Sequence, residues 1–167
     1  MHRVYVSLGS NINRCQHISA ALDVLDRYFS PLIVSNFYDC QPIGFDGDNF
    51  LNLVVGFDCA DSIATLSEKL KVIEDDNGRI RTGPKFSSRT LDIDILTYDS
   101  VVGCVEGVIL PRKEITENAF VLLPMSEVAA KAIHPVLKKT YQALWQQYNQ
   151  QSQKLSLIDF IWRSKKY

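Results

Sequence analysis

The order of its predicted elements indicates that this chain has an α+β fold. Short β-rich runs end at turn residues, two segments carry apolar residues at helical spacing, and acids alternate with aliphatic residues over Leu91–Ile95. In chain order these patterns predict strand, helix, strand, strand, helix, strand. That βαββαβ order is the ferredoxin-like arrangement, in which an antiparallel sheet carries both helices on one face. Everything after Tyr98 is then a C-terminal extension.

The first half of the chain supplies one helix between two strands. A strand is predicted over 4–8, and it stops at the turn signal of residues 9–11. Apolar residues at helical spacing predict a helix over 17–28. Residues 33–38 predict the second strand. The loop that follows, 39–49, is longer than a hairpin requires, which is typical of a functional loop.

The third strand and the second helix lead into the alternating segment. A strand is predicted over 50–57, and Asp61-Ser62 is expected to cap a helix that runs to about Asp76, where Gly78 closes it. The alternating strand comes next. In the extension we predict a strand over 105–110, helices over 118–130 and 139–150, and a strand or helix over 155–162.

Length and composition predict one ordinary globular domain spanning residues 1–167. The net charge of −1 argues against a nucleic-acid or anionic-membrane surface. The four cysteines are widely spaced with no CxxC pair, so neither a zinc site nor a disulfide framework is indicated. Because no leader and no apolar run of membrane-spanning length is present, we expect a cytoplasmic protein. We also expect a monomer.

Two carboxylates share one face of the alternating strand. Side chains point to opposite faces along a strand, so Asp92 and Asp94 lie together, opposite Leu91, Ile93 and Ile95. Like charges repel at such a spacing, and a divalent cation resolves the conflict. Oxygen donors of this kind suit Mg²⁺ held together with the phosphates of a substrate. The alternative is a solvated strand face without a metal.

Four cations precede that strand with no acid between Asn77 and Asp92. Guanidinium groups bind phosphate oxygens in bidentate geometry, and glycine, proline and serine residues within the segment indicate a mobile loop. A cationic loop followed by an Asp-x-Asp strand predicts a phosphoryl-transfer centre. The alternative is that these cations only form a solvent-exposed surface. The cations are Arg79, Arg81, Lys85 and Arg89.

Several motifs in the right order and spacing resemble one family. They are Gly9-Ser10-Asn11, Phe50-Leu51-Asn52, Gly78-Arg79-Ile80-Arg81, Ser88 to Ile95 and Phe120 to Met125. The chain resembles the 6-hydroxymethyl-7,8-dihydropterin pyrophosphokinases, from its start to roughly Pro135. This resemblance implies transfer of the β,γ-pyrophosphate of ATP to the hydroxymethyl group of the pterin in folate biosynthesis, with ATP and the pterin as small-molecule partners.

The resemblance also implies roles for individual residues. Asp92 and Asp94 would hold two Mg²⁺ ions, and Arg79, Arg81 and Arg89 would act on the phosphates. Phe50 and Phe120 would sandwich the pterin, whose edge Asn52 would read through its amide. The loop residues expected at the pterin are Cys40, Pro42, Ile43 and Gly44. The residues expected at the nucleotide are Glu74, Arg79, Arg89, Ile95, Arg112 and Lys113.

Each of these roles has a structural alternative. Phe50 and Phe120 could be core aromatics, and Asn52 could cap or pair locally. Arg79 and Arg81 could be solvated surface charges. Glu74 could be a solvent-facing helix residue.

Some positions depart from the family pattern, and they cluster on the nucleotide side. Arg112-Lys113 stands where the family has a histidine followed by an aromatic or proline, Asn118 replaces an arginine, and Phe86 replaces a loop tryptophan. Gly107 and Ile109 replace residues that contact ribose and phosphate. Three hypotheses follow: a working pyrophosphokinase, a diverged paralogue that binds a pterin-like ring without catalysis, and a phosphotransferase for another heterocyclic alcohol. The retained aspartates and Arg89 favour the first.

Overall fold

The computed structural model describes residues 1–167 and contains a central antiparallel sheet. Its strand order is β5-β1-β4-β3-β8, with β2 also paired to β4. The first, fourth and fifth strands are the longest, and they form the middle and one edge of the sheet. The strands of this sheet are β1 (His2–Ser10), β2 (Ile33–Val34), β3 (Phe37–Cys40), β4 (Phe50–Cys59), β5 (Asp92–Tyr98) and β8 (Ser156–Ile158).

Five helices and two short hairpins complete the chain. The helices are α1 (Arg14–Phe29), α2 (Ile63–Asp76), α3 (Glu114–Glu117), α4 (Ala119–Val128) and α5 (Tyr141–Gln147). The hairpin strands are β6 (Gly103–Val105) with β7 (Val108–Leu110), and β9 (Ile161–Trp162) with β10 (Lys165–Lys166). None of the helices is both long and apolar enough to cross a membrane.

The sheet separates two apolar cores, because alternate side chains of each strand point to opposite faces. Val4, Val6 and Leu8 of β1 belong to the larger core, which also contains the apolar faces of α1 and α2. Tyr5 of the same strand lies in the smaller core with residues of α3, α4 and α5. Both predicted helices therefore cover one face, which confirms the α+β arrangement, and the helices of the extension cover the other face.

Two predicted strands are wrong in detail. The segment 33–38 is split into β2 and β3, because Ser35 Oγ accepts the Val54 N–H (3.0 Å) and interrupts the ladder. The segment 105–110 is not one strand but the end of a hairpin between β6 and β7. Glu106 (φ 49°) and Gly107 (φ 81°) both adopt the left-handed conformation that a two-residue hairpin turn requires. The undecided segment 155–162 contributes β8 and β9.

Candidate active site

Polar side chains line up across three strands on the face opposite α1 and α2. Gly9 of β1 is paired with Asn52 of β4 on one side and with Asp92 of β5 on the other. The next row on this face contains Ser7, which is paired with Val54 and with Asp94. The alternation predicted for β5 is therefore confirmed, since Leu91, Ile93 and Ile95 are buried in the opposite core.

Gly9 leaves open the floor between the amide and the first carboxylate. A Cβ atom at this position would lie 3.1 Å from Asn52 Oδ1 and 3.7 Å from Phe50 Cδ1. Any larger residue would therefore fill the space that these two side chains border. Its lack of a side chain gives a flat ring access to the strand surface.

The amide and aromatic groups form one end of the site. Asn52 is buried, and its Nδ2 donates to Cys40 Sγ at 3.0 Å, so its Oδ1 remains beside Gly9. Burial raises the pKa of the Cys40 thiol to about 12, which keeps it protonated. Phe50 lies on the sheet and Phe120 on the second residue of α4, and both border the same cavity.

Arginine side chains neutralise both aspartates at the other end. Asp92 accepts from Arg89 Nη1 at 2.5 Å and is paired with Arg79 Nη2 at 3.2 Å. Asp94 is paired with Arg112 Nη2 at 3.0 Å. Burial, together with the neighbouring Asp92 charge, raises the pKa of Asp94, although Arg112 opposes this effect. Burial and the neighbouring Asp92 charge therefore make ionisation of Asp94 less favourable than that of a free carboxyl group.

Asn11 holds the backbone of Arg89 in place. Its Oδ1 accepts from the Arg89 N–H at 2.7 Å, and its own N–H donates to the Arg89 carbonyl at 3.0 Å. Its Nδ2 donates to the Asp48 carbonyl (3.0 Å) and to Ser88 Oγ (3.2 Å). This one buried amide thus joins the turn after β1, the 41–49 loop and the segment before β5. Sequence reasoning noted its motif but assigned it no role.

Glu74 and Arg81 lie outside the cavity, so the structure places them differently from the sequence-based expectation. Glu74 is buried, which makes the solvent-facing alternative wrong, and its Oε1 accepts from the Ile93 N–H at 2.7 Å. Burial raises its pKa, although the Ile93 N–H opposes the shift. Arg81 is paired with Glu74 Oε2 (2.6 Å) and with Asp75, so it points to α2 and away from the two aspartates.

The cavity has a volume of about 420 Å³. The predicted site residues that line it are Cys40, Pro42, Ile43, Phe50, Asn52, Arg89, Asp92, Asp94, Arg112, Lys113 and Phe120. Those outside its lining are Gly44, Glu74, Arg79, Arg81 and Ile95. Ile95 is in the larger core, and Gly44 lies under the ring of Phe86, with 3.3 Å between the glycine's potential Cβ position and Phe86 Cγ. Phe86 itself lines the cavity, as an aromatic lid residue would.

Several lining residues were not predicted as site residues. Ser7 and Gly9 could have been found by pairing β1 beside β5, whereas Phe45 carries no local signal beyond its position in the long loop. Glu114 and Glu117 also line the cavity, and Glu114 shares Arg112 with Asp94 (3.5 Å from Nη2). The nucleotide-side wall therefore contains acids as well as the two cations Arg112 and Lys113.

The chain is similar in sequence to known proteins of one family. The family model described as 7,8-dihydro-6-hydroxymethylpterin-pyrophosphokinase (HPPK) matches residues 5–130. A Haemophilus influenzae protein, 2-amino-4-hydroxy-6-hydroxymethyldihydropteridine pyrophosphokinase, is 31% identical over 139 residues, which cover 81% of this chain and 86% of that protein. The bifunctional protein FolKE of Lactococcus lactis subsp. lactis is 34% identical over 144 residues, covering 78% of this chain but only 38% of its own length.

Solved structures share the fold at lower identity. An HPPK-DHPS crystal structure in complex with substrates has a TM-score of 0.70 and 12% identity, covering 90% of this chain and 44% of the other. Plasmodium falciparum HPPK-DHPS, wild type with SDX-DHP, has a TM-score of 0.66 and 15% identity, covering 88% and 43%. This chain thus spans less than half of those two-part chains. By the family match and the relatives above 30% identity, it belongs to the 7,8-dihydro-6-hydroxymethylpterin-pyrophosphokinase family, a family of transferases.

Proposed function

We propose that this protein transfers the β,γ-pyrophosphate of ATP to the hydroxymethyl group of 6-hydroxymethyl-7,8-dihydropterin, as a step of folate biosynthesis. One observation carries the proposal. A single cavity has an amide and two aromatic rings at one end and two carboxylates with arginines at the other, and its amide and carboxylates lie on β4 and β5, the two strands that flank β1, on one sheet face. The first end suits a flat polar heterocycle and the second suits phosphates.

The heterocycle would lie between Phe50 and Phe120, on the floor left open by Gly9. Offset stacking on aromatic rings favours a flat ring over a flexible chain. Asn52 Oδ1 would accept from an N–H of the pterin, since its Nδ2 already donates to Cys40 Sγ. A buried amide that reads a ring edge discriminates strongly, because a ligand without the matching group leaves it unpaired.

The residues at the other end fit magnesium. Asp92 and Asp94 offer oxygen donors from one face of β5 at the cavity, the ligand type that Mg²⁺ takes together with substrate phosphates. We propose that these two residues hold two Mg²⁺ ions, which when bound neutralise charge on the phosphates during transfer. The raised pKa of Asp94 agrees with this proposal, because it reflects burial of the carboxylate and the neighbouring Asp92 charge, and a bound cation would oppose both effects.

The chain's own residues would act mainly by position. In the transfer, the hydroxyl oxygen of the pterin forms a bond to the β-phosphorus while the bond to the α,β-bridging oxygen breaks, AMP leaves, and the hydroxyl proton passes to solvent. No histidine lines the cavity to act as a general base. Arg89 and Arg112 would exchange their aspartate partners for phosphate oxygens, a change between two charge-assisted hydrogen bonds. Phe86 and Lys85 would close over the phosphates and exclude water.

The remaining predicted residues act from outside the cavity. Arg79 is paired with Asp92, so it would set the charge at the metal site. Glu74 would hold the β5 backbone at Ile93, between the two aspartates, and Arg81 would hold Glu74. We propose these indirect roles in place of direct contact with the nucleotide. Cytoplasmic location and a monomeric state stay predictions.

A coupled assay of AMP release tests the proposal. Purified protein with Mg²⁺ and ATP should form AMP only when 6-hydroxymethyl-7,8-dihydropterin is present. Asp94→Ala should abolish AMP formation while pterin binding, measured by titration calorimetry, largely survives. Asp76→Ala is the matched control, because Asp76 is an exposed carboxylate at the end of α2 and makes no ion pair. It should leave AMP release unchanged.

Two other results would contradict parts of this proposal. Pterin binding without AMP would indicate the diverged binding protein, for which the pairing of every cavity aspartate with an arginine is the supporting observation. An unchanged turnover and unchanged Mg²⁺-dependent nucleotide affinity in Asp94→Ala would instead contradict the metal assignment.

A further inference from the structure

Helix α4 carries Phe120 on its second residue, and its first turn lacks a local cap. Backbone N–H groups in the first turn of a helix have no partner within the helix. Asn118, at the N-cap position, makes no side-chain hydrogen bond to that turn. The start of α4 is therefore held by the core packing of Val121 and Leu122 and by any group that binds its free N–H groups.

Gln153 supplies the missing contact from a distant part of the chain. Its Oε1 accepts from the Ala119 N–H at 2.8 Å, and its Nε2 donates to Asn118 Oδ1 at 3.1 Å. One amide thus satisfies both the first helical N–H group and the N-cap side chain. Asn118 stands at the position where the family resemblance implies an arginine, and here its amide oxygen accepts from Gln153. Gln153 also lies beyond residues 5–130, the part that the family model matches.

The segment that presents Gln153 is itself anchored on both sides. Upstream, Tyr148 donates its hydroxyl to the Glu117 carbonyl at 2.9 Å. Downstream, β8 is paired with β3, where Ser156 lies opposite Asp39. Cys40, the next residue of β3, holds Asn52. The C-terminal segment therefore contacts both walls of the proposed pterin pocket.

The opposite end of α4 is held independently. Glu127 accepts from the Tyr38 hydroxyl and, at 2.9 Å, from the Asn36 N–H, both in or beside β3. With that end fixed, loss of the contact at Ala119 would release mainly the turn that carries Phe120. The consequence would fall on the pterin end of the cavity, because Asp92 and Asp94 lie on a different strand.

We propose that Gln153 is a positioning residue that holds Phe120 in its stacking position, so that the C-terminal segment completes the pterin pocket. This inference rests on the proposed function. Loss of a capping side chain weakens the start of a helix. We therefore expect Gln153→Ala to raise the Kd for 6-hydroxymethyl-7,8-dihydropterin about tenfold. The Kd for a non-hydrolysable ATP analogue with Mg²⁺ should stay within about a factor of two of the wild-type value, a much smaller change than that expected for the pterin.

Titration calorimetry on the full chain tests the inference. Gln153→Glu keeps an oxygen for the Ala119 N–H at a helix N-terminus that favours negative charge but loses the donor to Asn118 Oδ1, so its pterin affinity should lie between those of the wild type and Gln153→Ala. Gln151→Ala is the matched control, because Gln151 is an exposed neighbour whose side chain makes no hydrogen bond. Gln153→Asn, too short to reach Ala119, replaces the alanine variant if that one fails to fold and should behave like it.

A double-mutant cycle separates positioning from general stability. In a Phe120→Ala background, Gln153→Ala should have little further effect on pterin affinity, because the ring that it positions is gone. Equal affinity in wild type and Gln153→Ala would overturn the inference. So would a parallel fall in pterin affinity, nucleotide affinity and melting temperature. Absence of pterin binding by the wild-type protein would instead overturn the proposed function itself.

Discussion

Replacing Gly9 by alanine tests the floor of the cavity with a single methyl group. The added Cβ would lie 3.1 Å from Asn52 Oδ1, closer than carbon and oxygen normally approach, and 3.7 Å from Phe50 Cδ1. Asn52 has little room to yield, because it is buried and its Nδ2 is bound to Cys40 Sγ. The methyl group would therefore intrude on the space in which we place the pterin ring.

The expected effect is large on function and small on stability. Displacing a reacting group by about 1 Å can lower the rate 100-fold, which corresponds to about 2.7 kcal/mol of transition-state stabilisation. We therefore expect kcat/KM for the pterin to fall about 100-fold. Gly9 has no positive φ, so alanine fits its backbone, and the reduced entropy of the unfolded chain, worth about 0.5–1 kcal/mol, should offset part of the cost of the 3.1 Å contact with Asn52 Oδ1.

Steady-state AMP release at varied pterin concentration, with thermal unfolding of the same samples, measures both quantities. Function lost with the melting temperature kept would support the placement of the ring. Wild-type kcat/KM in Gly9→Ala would refute it, since the ring could not then occupy the space beside Asn52. A fall in melting temperature by many degrees would show that the 3.1 Å contact disrupts the sheet, and the geometric reasoning would also be wrong.

Three further predictions follow from the charges and thiols of the site. Asp94→Asn should abolish AMP release and raise the melting temperature at pH 7. The reason is that the pKa of Asp94 is raised in the folded state, so the folded protein loses stability as the pH rises between the unfolded-state and folded-state pKa values of this group. A lower melting temperature would contradict this. Arg89→Lys should weaken nucleotide binding about tenfold in calorimetry, because an ammonium cannot replace a bidentate guanidinium, and unchanged affinity would remove Arg89 from the phosphate site. At pH 8 iodoacetamide should label Cys15 and Cys104, which are exposed, but not Cys40, because burial raises the pKa of its thiol to about 12 and lowers its thiolate fraction about 1000-fold from that of a thiol of pKa 9; mass spectrometry that finds all three equally modified would count against the burial of Cys40.

Local patterns in the sequence were sufficient to predict the direction of the Asp92 and Asp94 side chains. The alternation Leu91 to Ile95 places Asp92 and Asp94 on one face whatever the strand pairs with, because the period of a strand is a local property. The same holds for the apolar faces of α1 and α2, which both pack in the larger core. Turn chemistry was harder, since the Glu106-Gly107 turn lay inside an apolar run.

The sequence by itself determined the order of elements, the shared face of the two aspartates and the resemblance to the family. Only the tertiary structure decided which side chains meet across the sheet and between segments. Glu74 was expected at the nucleotide but binds the Ile93 N–H, Arg81 turns to α2, and Gln153 reaches Ala119 over 34 residues. The physical reason is that periodicity reports the direction of a side chain relative to its own element. Its partner depends on strand order and packing between segments far apart in the chain.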